Sequence, residues 1–250
     1  MHRNWTEHEL LIAMNLYCRL PFGQCNSRNK LVNEVASKMD RTAGSISRKL
    51  GNIASLDPRH QARGVGGLPN SSKLDRKVWA EFQENWSVMA DKSETAFEAL
   101  MGRTVLGKPV AEIEQPTGPS EVERTAKTRR LQTFFRNAVL SSYENRCALT
   151  GIAVPQLLIA SHIIPWSENE NRRADPTNGL CLNALHDKAL DRHLITFDED
   201  CRLVVSSFLR KNDVPEFQSA NFAKIEGATL TLPHRFAPDP RALEEHRNAF

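Results

Sequence analysis

Residues 147–196 gather side chains that could cut a phosphodiester bond with the help of a metal ion. Ala160-Ser161-His162-Ile163-Ile164-Pro165 supplies a His, and Asp175-Pro176-Thr177-Asn178-Gly179-Leu180 supplies an Asn. Leu185-His186-Asp187-Lys188-Ala189-Leu190-Asp191 adds a cluster of His and Asp. These residue types, so close in sequence, are enough for a complete metal-assisted site.

A strand, a long loop, a second strand and a helix must position them. Residues 156–161 include the apolar run Leu157, Leu158, Ile159 and Ala160, which suits a short buried strand ending at His162. Pro165 forbids a longer one. Residues 166–177 are polar and charged (Ser167-Glu168-Asn169-Glu170-Asn171-Arg172-Arg173) and should form an exposed loop leading to a second strand over 179–182. Residues 184–192 lack Gly and Pro and put Leu185, Ala189 and Leu190 near helical spacing, so a two-turn helix should pack on that hairpin.

The phrases CALTGI, ASHIIPW, NGLCLNALHDKALD and LITFD resemble the HNH, or ββα-metal, nuclease family, in particular a bacterial restriction-type branch. The resemblance implies that His162 is the general base that activates water and that Asn178 ties the loop to the backbone of the base. A base working near neutral pH is most simply a His, so the first role is chemically sensible without any family. In relatives the helix ligand lies nine residues after the Asn, with a second four further on, which implies Asp187 and Asp191 as metal ligands. At i and i+4 they share a helix face. Such carboxylates favour one divalent ion, Mg²⁺ or Mn²⁺, over zinc. His186 is left as a third ligand or a hydrogen-bonding support, and Asp191 as a ligand or an ion-pair partner of Lys188 or Arg192. Zinc-stapled relatives carry two C-x-x-C pairs where this chain has Cys147-Ala148-Leu149-Thr150 and Asn183-Ala184-Leu185-His186, so a structural zinc is not expected. Relatives have Asp or His immediately before the base, where this chain has Ser161. His193 stands where similar chains use Gly to end the helix in a left-handed turn.

The rest of the chain must grip the substrate. Net charge is only +3, yet Arg124, Lys127, Arg129, Arg130, Arg136 and Arg146 cluster just ahead of the motif and could meet a phosphate backbone. The segment has a helical apolar face of Leu131, Phe134, Phe135, Ala138, Val139 and Ser142 that should pack on the nuclease hairpin. Arg172 and Arg173 could clamp phosphates or be solvated surface. Residues 103–120, rich in proline, read as a linker between a helical domain over 1–102 and the nuclease domain over 121–250. In the helical domain Thr6 and Glu9 make a capping box. Two helices joined at Asp40-Arg41-Thr42 have the length of a helix-turn-helix whose exposed face would present Ser45, Ser47, Arg48, Lys49 and Asn52 to DNA. After the motif, strands at 194–197 and 203–205 should form a hairpin, and Asp239-Pro240 should open a last helix. The fold class expected is therefore α+β.

Forty per cent hydrophobic residues can fill real cores, no apolar run approaches the roughly 18 residues of a membrane span, and five scattered cysteines argue for a reducing cytoplasm. The expected activity is metal-dependent DNA cleavage, by a monomer or homodimer, in defence against foreign DNA. A partner-activated nuclease effector, or a DNA-binding protein with a relic nuclease fold, are the alternatives.

Overall fold

A computed structural model describes residues 3–62, 64, 70–102, 119–211 and 213–250. Most of the expected linker, 103–118, lies outside the described residues, as does Arg63.

The N-terminal part is helical: α1 (Glu7–Arg19), α2 (Lys30–Lys38), α3 (Ala43–Ala54), α4 (Pro58–Ala62), α5 (Lys73–Glu84) and α6 (Trp86–Met101). The Thr6 hydroxyl accepts from the Glu9 N–H at 3.2 Å while Glu9 Oε2 accepts from the Thr6 N–H at 2.9 Å, which starts α1. This helix is apolar nearly all round, from Leu10 through Cys18, so it runs through the middle of the helical core. Asn29 caps α2 and Thr42 caps α3, with the reversal between them at Asp40, φ 52°.

Lys49 of α3 corrects the expectation that this face is open to DNA. The residue is 6% exposed, and its ammonium is held at 2.7 and 2.9 Å from the two carboxylate oxygens of Asp75 on α5. Freeing it for a phosphate would leave Asp75 buried and unpaired. Ser47 is likewise spent on the Cys25 carbonyl. Arg48 is exposed and has no ion pair among the described residues.

Helix α7 (Pro119–Ser142) joins the two halves. Leu131, Phe134 and Ala138 pack into the helical core, whereas Phe135, Val139 and Tyr143, just beyond the helix end, pack into a second core around the motif. The single apolar face read from the sequence is thus two adjacent rows facing two cores, because 131/134/138 and 135/139/143 lie side by side on one helix. A fully buried Arg235 adds a second bond between the halves. Its guanidinium donates to the carbonyls of Tyr17 and Leu20 at the end of α1 and to Ser141 of α7. A cation is well placed on the unpaired carbonyls of a helix C-terminus.

The second core wraps strands β1 (Leu158–His162) and β2 (Gly179–Asn183), which pair antiparallel with His162 opposite Gly179, followed by α8 (Ala184–Asp191). His193 ends that helix at φ 49°, the left-handed turn anticipated there. Strands β3 (Ile195–Phe197) and β4 (Leu203–Val205) form the second hairpin. After α9 (Glu216–Asn221), α10 (Pro240–Asn248) returns to this core, capped by Asp239. Its His246 is tied to Thr196 Oγ1 at 2.9 Å and to the Leu190 carbonyl at 3.2 Å, so it is a packing residue. Among the described residues no helix is long and apolar enough to cross a membrane, and all five cysteines are free thiols.

Candidate active site

Neighbouring side chains on a strand point to opposite faces, so Ser161 and His162 at the end of β1 face different helices. His162 faces α7. Its ring stacks on Phe135 with centroids 3.7 Å apart and planes 12° apart, and Trp166 lies perpendicular to it with centroids 5.6 Å apart. Nε2 lies 3.0 Å from the Arg173 carbonyl, which can only accept, so Nε2 carries the proton and Nδ1 holds the lone pair. Nδ1 has no hydrogen-bond partner among the described residues. Burial lowers the His162 pKa below its ordinary value, against the smaller opposing effects of the Arg173 carbonyl and the Asp191 charge. The imidazole is therefore neutral at pH 7, the form that can take a proton from water.

The sign of that shift fixes a pH dependence. Activity that needs neutral His162 should rise with pH and level off, with its inflection below about 6.5. Single-turnover rates between pH 5 and 8 check it, and an inflection above pH 7 would contradict the assignment.

Asn178 is buried at the end of the loop and binds both backbone groups of Ile164. Its Oδ1 accepts from the Ile164 N–H at 2.9 Å and its Nδ2 donates to the Ile164 carbonyl at 3.0 Å. The Asn178 carbonyl accepts from the Ile163 N–H at 2.9 Å. The chain leaving His162 is thus clamped to the start of β2, which holds the ring against Phe135 and Arg173.

Gly179 lets α7 come that close. A Cβ there would sit 2.4 Å from Val139 Cγ2 and 2.9 Å from Phe135 Cζ. Gly179→Ala should therefore displace the ring on which His162 rests and cost about 1–3 kcal/mol by overpacking. The expected outcome is a melting temperature about 2–10 °C lower, with cleavage reduced even well below the melt. An unshifted melt would show that α7 can move without strain.

Ser161 faces α8, where its hydroxyl favours the charged form of Asp187. Asp187 is half-buried, and burial raises its pKa, opposed by that hydroxyl and reinforced by the charge of Asp191. Asp191 is exposed and lies 3.2 Å from Lys188. Among the described residues no cluster of three or more His, Cys, Asp or Glu side chains is arranged to hold a metal. Two carboxylates one turn apart with a neighbouring hydroxyl do fit an ion that takes one or two carboxylates and keeps several waters, as Mg²⁺ does.

His186 is fully buried with both ring nitrogens engaged. Nδ1 accepts from Asn183 Nδ2 at 2.9 Å and Nε2 donates to the Asn221 carbonyl at 2.9 Å. Of the two roles open to it, hydrogen-bonding support is the one this geometry provides. Asn183 also donates to Thr150 Oγ1 at 3.3 Å, and the Thr150 N–H meets Cys147 Sγ at 3.5 Å. Cys147, Thr150, Asn183 and His186 thus form a hydrogen-bonded chain where zinc-stapled relatives carry cysteines.

The arginines divide. Arg172 is locked to Asp239 at 2.8 Å and Asp175 at 3.4 Å, pinning the loop to the start of α10. Arg173 donates to the Trp166 carbonyl at 3.0 Å, pairs with Glu170 at 3.1 Å and lies over the Trp166 ring. Arg130 pairs with Asp91 of α6 at 2.6 Å. Arg129 is exposed without an ion pair among the described residues. Sequence reasoning gave Phe135 a packing role alone; its contact with His162 carries no local signal, since Phe134 beside it faces the other core.

A broad groove of about 270 Å³ opens beside the His162 ring, lined by Gln132, Phe135, Arg136, Ile159, Ala160 and Trp166. Comparison with the curated proteins gave no match. Residues 147–198, the stretch that holds β1, the Asn178 clamp and α8, match the family model described as HNH endonuclease, so the chain carries an HNH endonuclease domain there.

Proposed function

We propose that the protein is a metal-dependent DNA endonuclease. His162 takes a proton from water through Nδ1 as the water attacks the phosphorus in line with the departing 3′ oxygen. Asn178 holds the backbone behind the ring, and the Arg173 carbonyl fixes the tautomer. Asp187, with Asp191 and the Ser161 hydroxyl beside it, would hold a divalent ion, Mg²⁺ or Mn²⁺. Such an ion supplies Lewis-acid stabilisation of the charge that builds on the phosphate and the leaving oxygen.

One observation carries the reading. A neutral imidazole presents a free Nδ1 at the end of β1, and the next helix carries the carboxylates Asp187 and Asp191 one turn apart, all inside the segment that matches the HNH endonuclease model. A role in restriction of foreign DNA extends it, with Arg48 and the α2–α3 pair as a DNA-reading element. With one such site per chain, cutting both strands takes two copies or two successive nicks.

Supercoiled plasmid, methylated and unmethylated, tests the reading with EDTA or added Mg²⁺ or Mn²⁺. Discrete bands that need the metal support a restriction-type enzyme. Binding without cutting would favour a regulator with a relic nuclease fold, a reading that Ser161, in place of an Asp or His, permits and that the intact His162, Asn178 and Asp187 disfavour. Cutting only after a partner or ligand is added would favour an activated effector.

A further inference from the structure

The groove beside His162 has a second wall that the proposed chemistry does not use. Arg136 on α7 lies exposed along it, yet its guanidinium is not loose. One NH1 hydrogen bonds the Leu158 carbonyl at 2.9 Å and one NH2 hydrogen the Pro155 carbonyl at 3.3 Å. An arginine has five N–H donors, so three remain, and among the described residues no carboxylate pairs with them. Nearby loop and helix arginines differ in that respect: Arg172, Arg173 and Arg130 are each held by an Asp or Glu.

Arg136 also continues a row. Arg129, Gln132 and Arg136 are spaced i, i+3 and i+7, so they lie along one face of α7, and all three are exposed. Arg129 and Arg136 are about 10 Å apart along the helix axis. That span suits contacts to separate phosphates of one backbone strand, and the row ends where the groove meets the His162 ring.

Resting on the nuclease reading, we propose that this groove is the track of the cleaved DNA strand, in which Arg136 holds a backbone phosphate next to His162, with Gln132 and Arg129 continuing the contact along the strand. The two carbonyls steer the guanidinium, and its unspent donors form a fork that suits phosphate oxygens. Arg136 is then a positioning residue, acting through the placement of the substrate.

The experiment is DNA binding by the His162→Ala protein, which holds substrate without consuming it, followed by fluorescence anisotropy of a short duplex over a range of salt. Adding Arg136→Ala should raise Kd about tenfold at low salt and lower the slope of log K against log salt by about 0.9, the loss of one phosphate contact. Arg136→Lys should recover most of the slope. A loosened 155–158 turn could weaken binding but would not change the number of ions released. An unchanged slope in Arg136→Ala, with wild-type protein still cutting plasmid, would overturn the track and leave the nuclease standing. If wild type neither binds nor cuts DNA, both fall together.

Discussion

His162→Ala is expected to cleave DNA about 10²–10⁴-fold more slowly than wild type at pH 7, the range a positioned general base contributes. No neighbour can take over the proton. Asn178 has its side chain spent on Ile164, and Asp187 is the carboxylate that would hold the metal. The Arg173 carbonyl loses its donor and Phe135 its stacked ring, so melting curves must first show the variant folded. Affinity for DNA should change little, because the ring is asked to move a proton and not to hold the strand. Single-turnover rates together with Kd separate the two effects. A variant that binds weakly but cuts bound DNA at the wild-type rate would move His162 from chemistry to binding.

Asp187→Asn is the second large effect. The substitution keeps the shape of the side chain and its reach to the Ser161 hydroxyl, and removes only the charge that a divalent ion needs. Cleavage should fall at least a hundredfold at a fixed Mg²⁺ concentration, with part of it regained at high Mn²⁺. Stability should move the other way. In EDTA burial and the Asp191 charge outweigh what the Ser161 hydroxyl and Lys188 contribute to the Asp187 carboxylate, so the variant should melt at or above the wild-type temperature. Added Mn²⁺ should then raise the melt of wild type by mass action and leave the variant unmoved. Equal stabilisation of both proteins by Mn²⁺ would place the ion elsewhere.

What could be read from the sequence was what neighbours in sequence decide. The Thr6 box and the Asp239 cap are satisfied within a few residues, so the helix starts were legible. The strand ending at His162, Asn178 just before β2 and Asp187 in the first turn of α8 follow from a short stretch with strong turn and strand signals. The misplacements come from partners far along the chain. Lys49 looked like surface because Asp75, which buries it, is 26 residues away. Arg172 looked free because Asp239 is 67 residues away. His186 finds its second acceptor at Asn221, 35 residues on, and Arg235 reaches the end of α1 across 218. Periodicity tells which face of a helix is apolar but not which of two cores it enters. For that reason Phe135, the ring beneath the base, could not be told from Phe134.

The most direct test of the central claim sets wild type and His162→Ala side by side on supercoiled plasmid, each with Mg²⁺, with Mn²⁺ and with EDTA, after melting curves show both folded. Cutting by wild type alone, and only with the metal, is the predicted result. Cutting by the variant at the wild-type rate, or cutting by wild type that survives EDTA, would contradict a metal-dependent nuclease with His162 as its base.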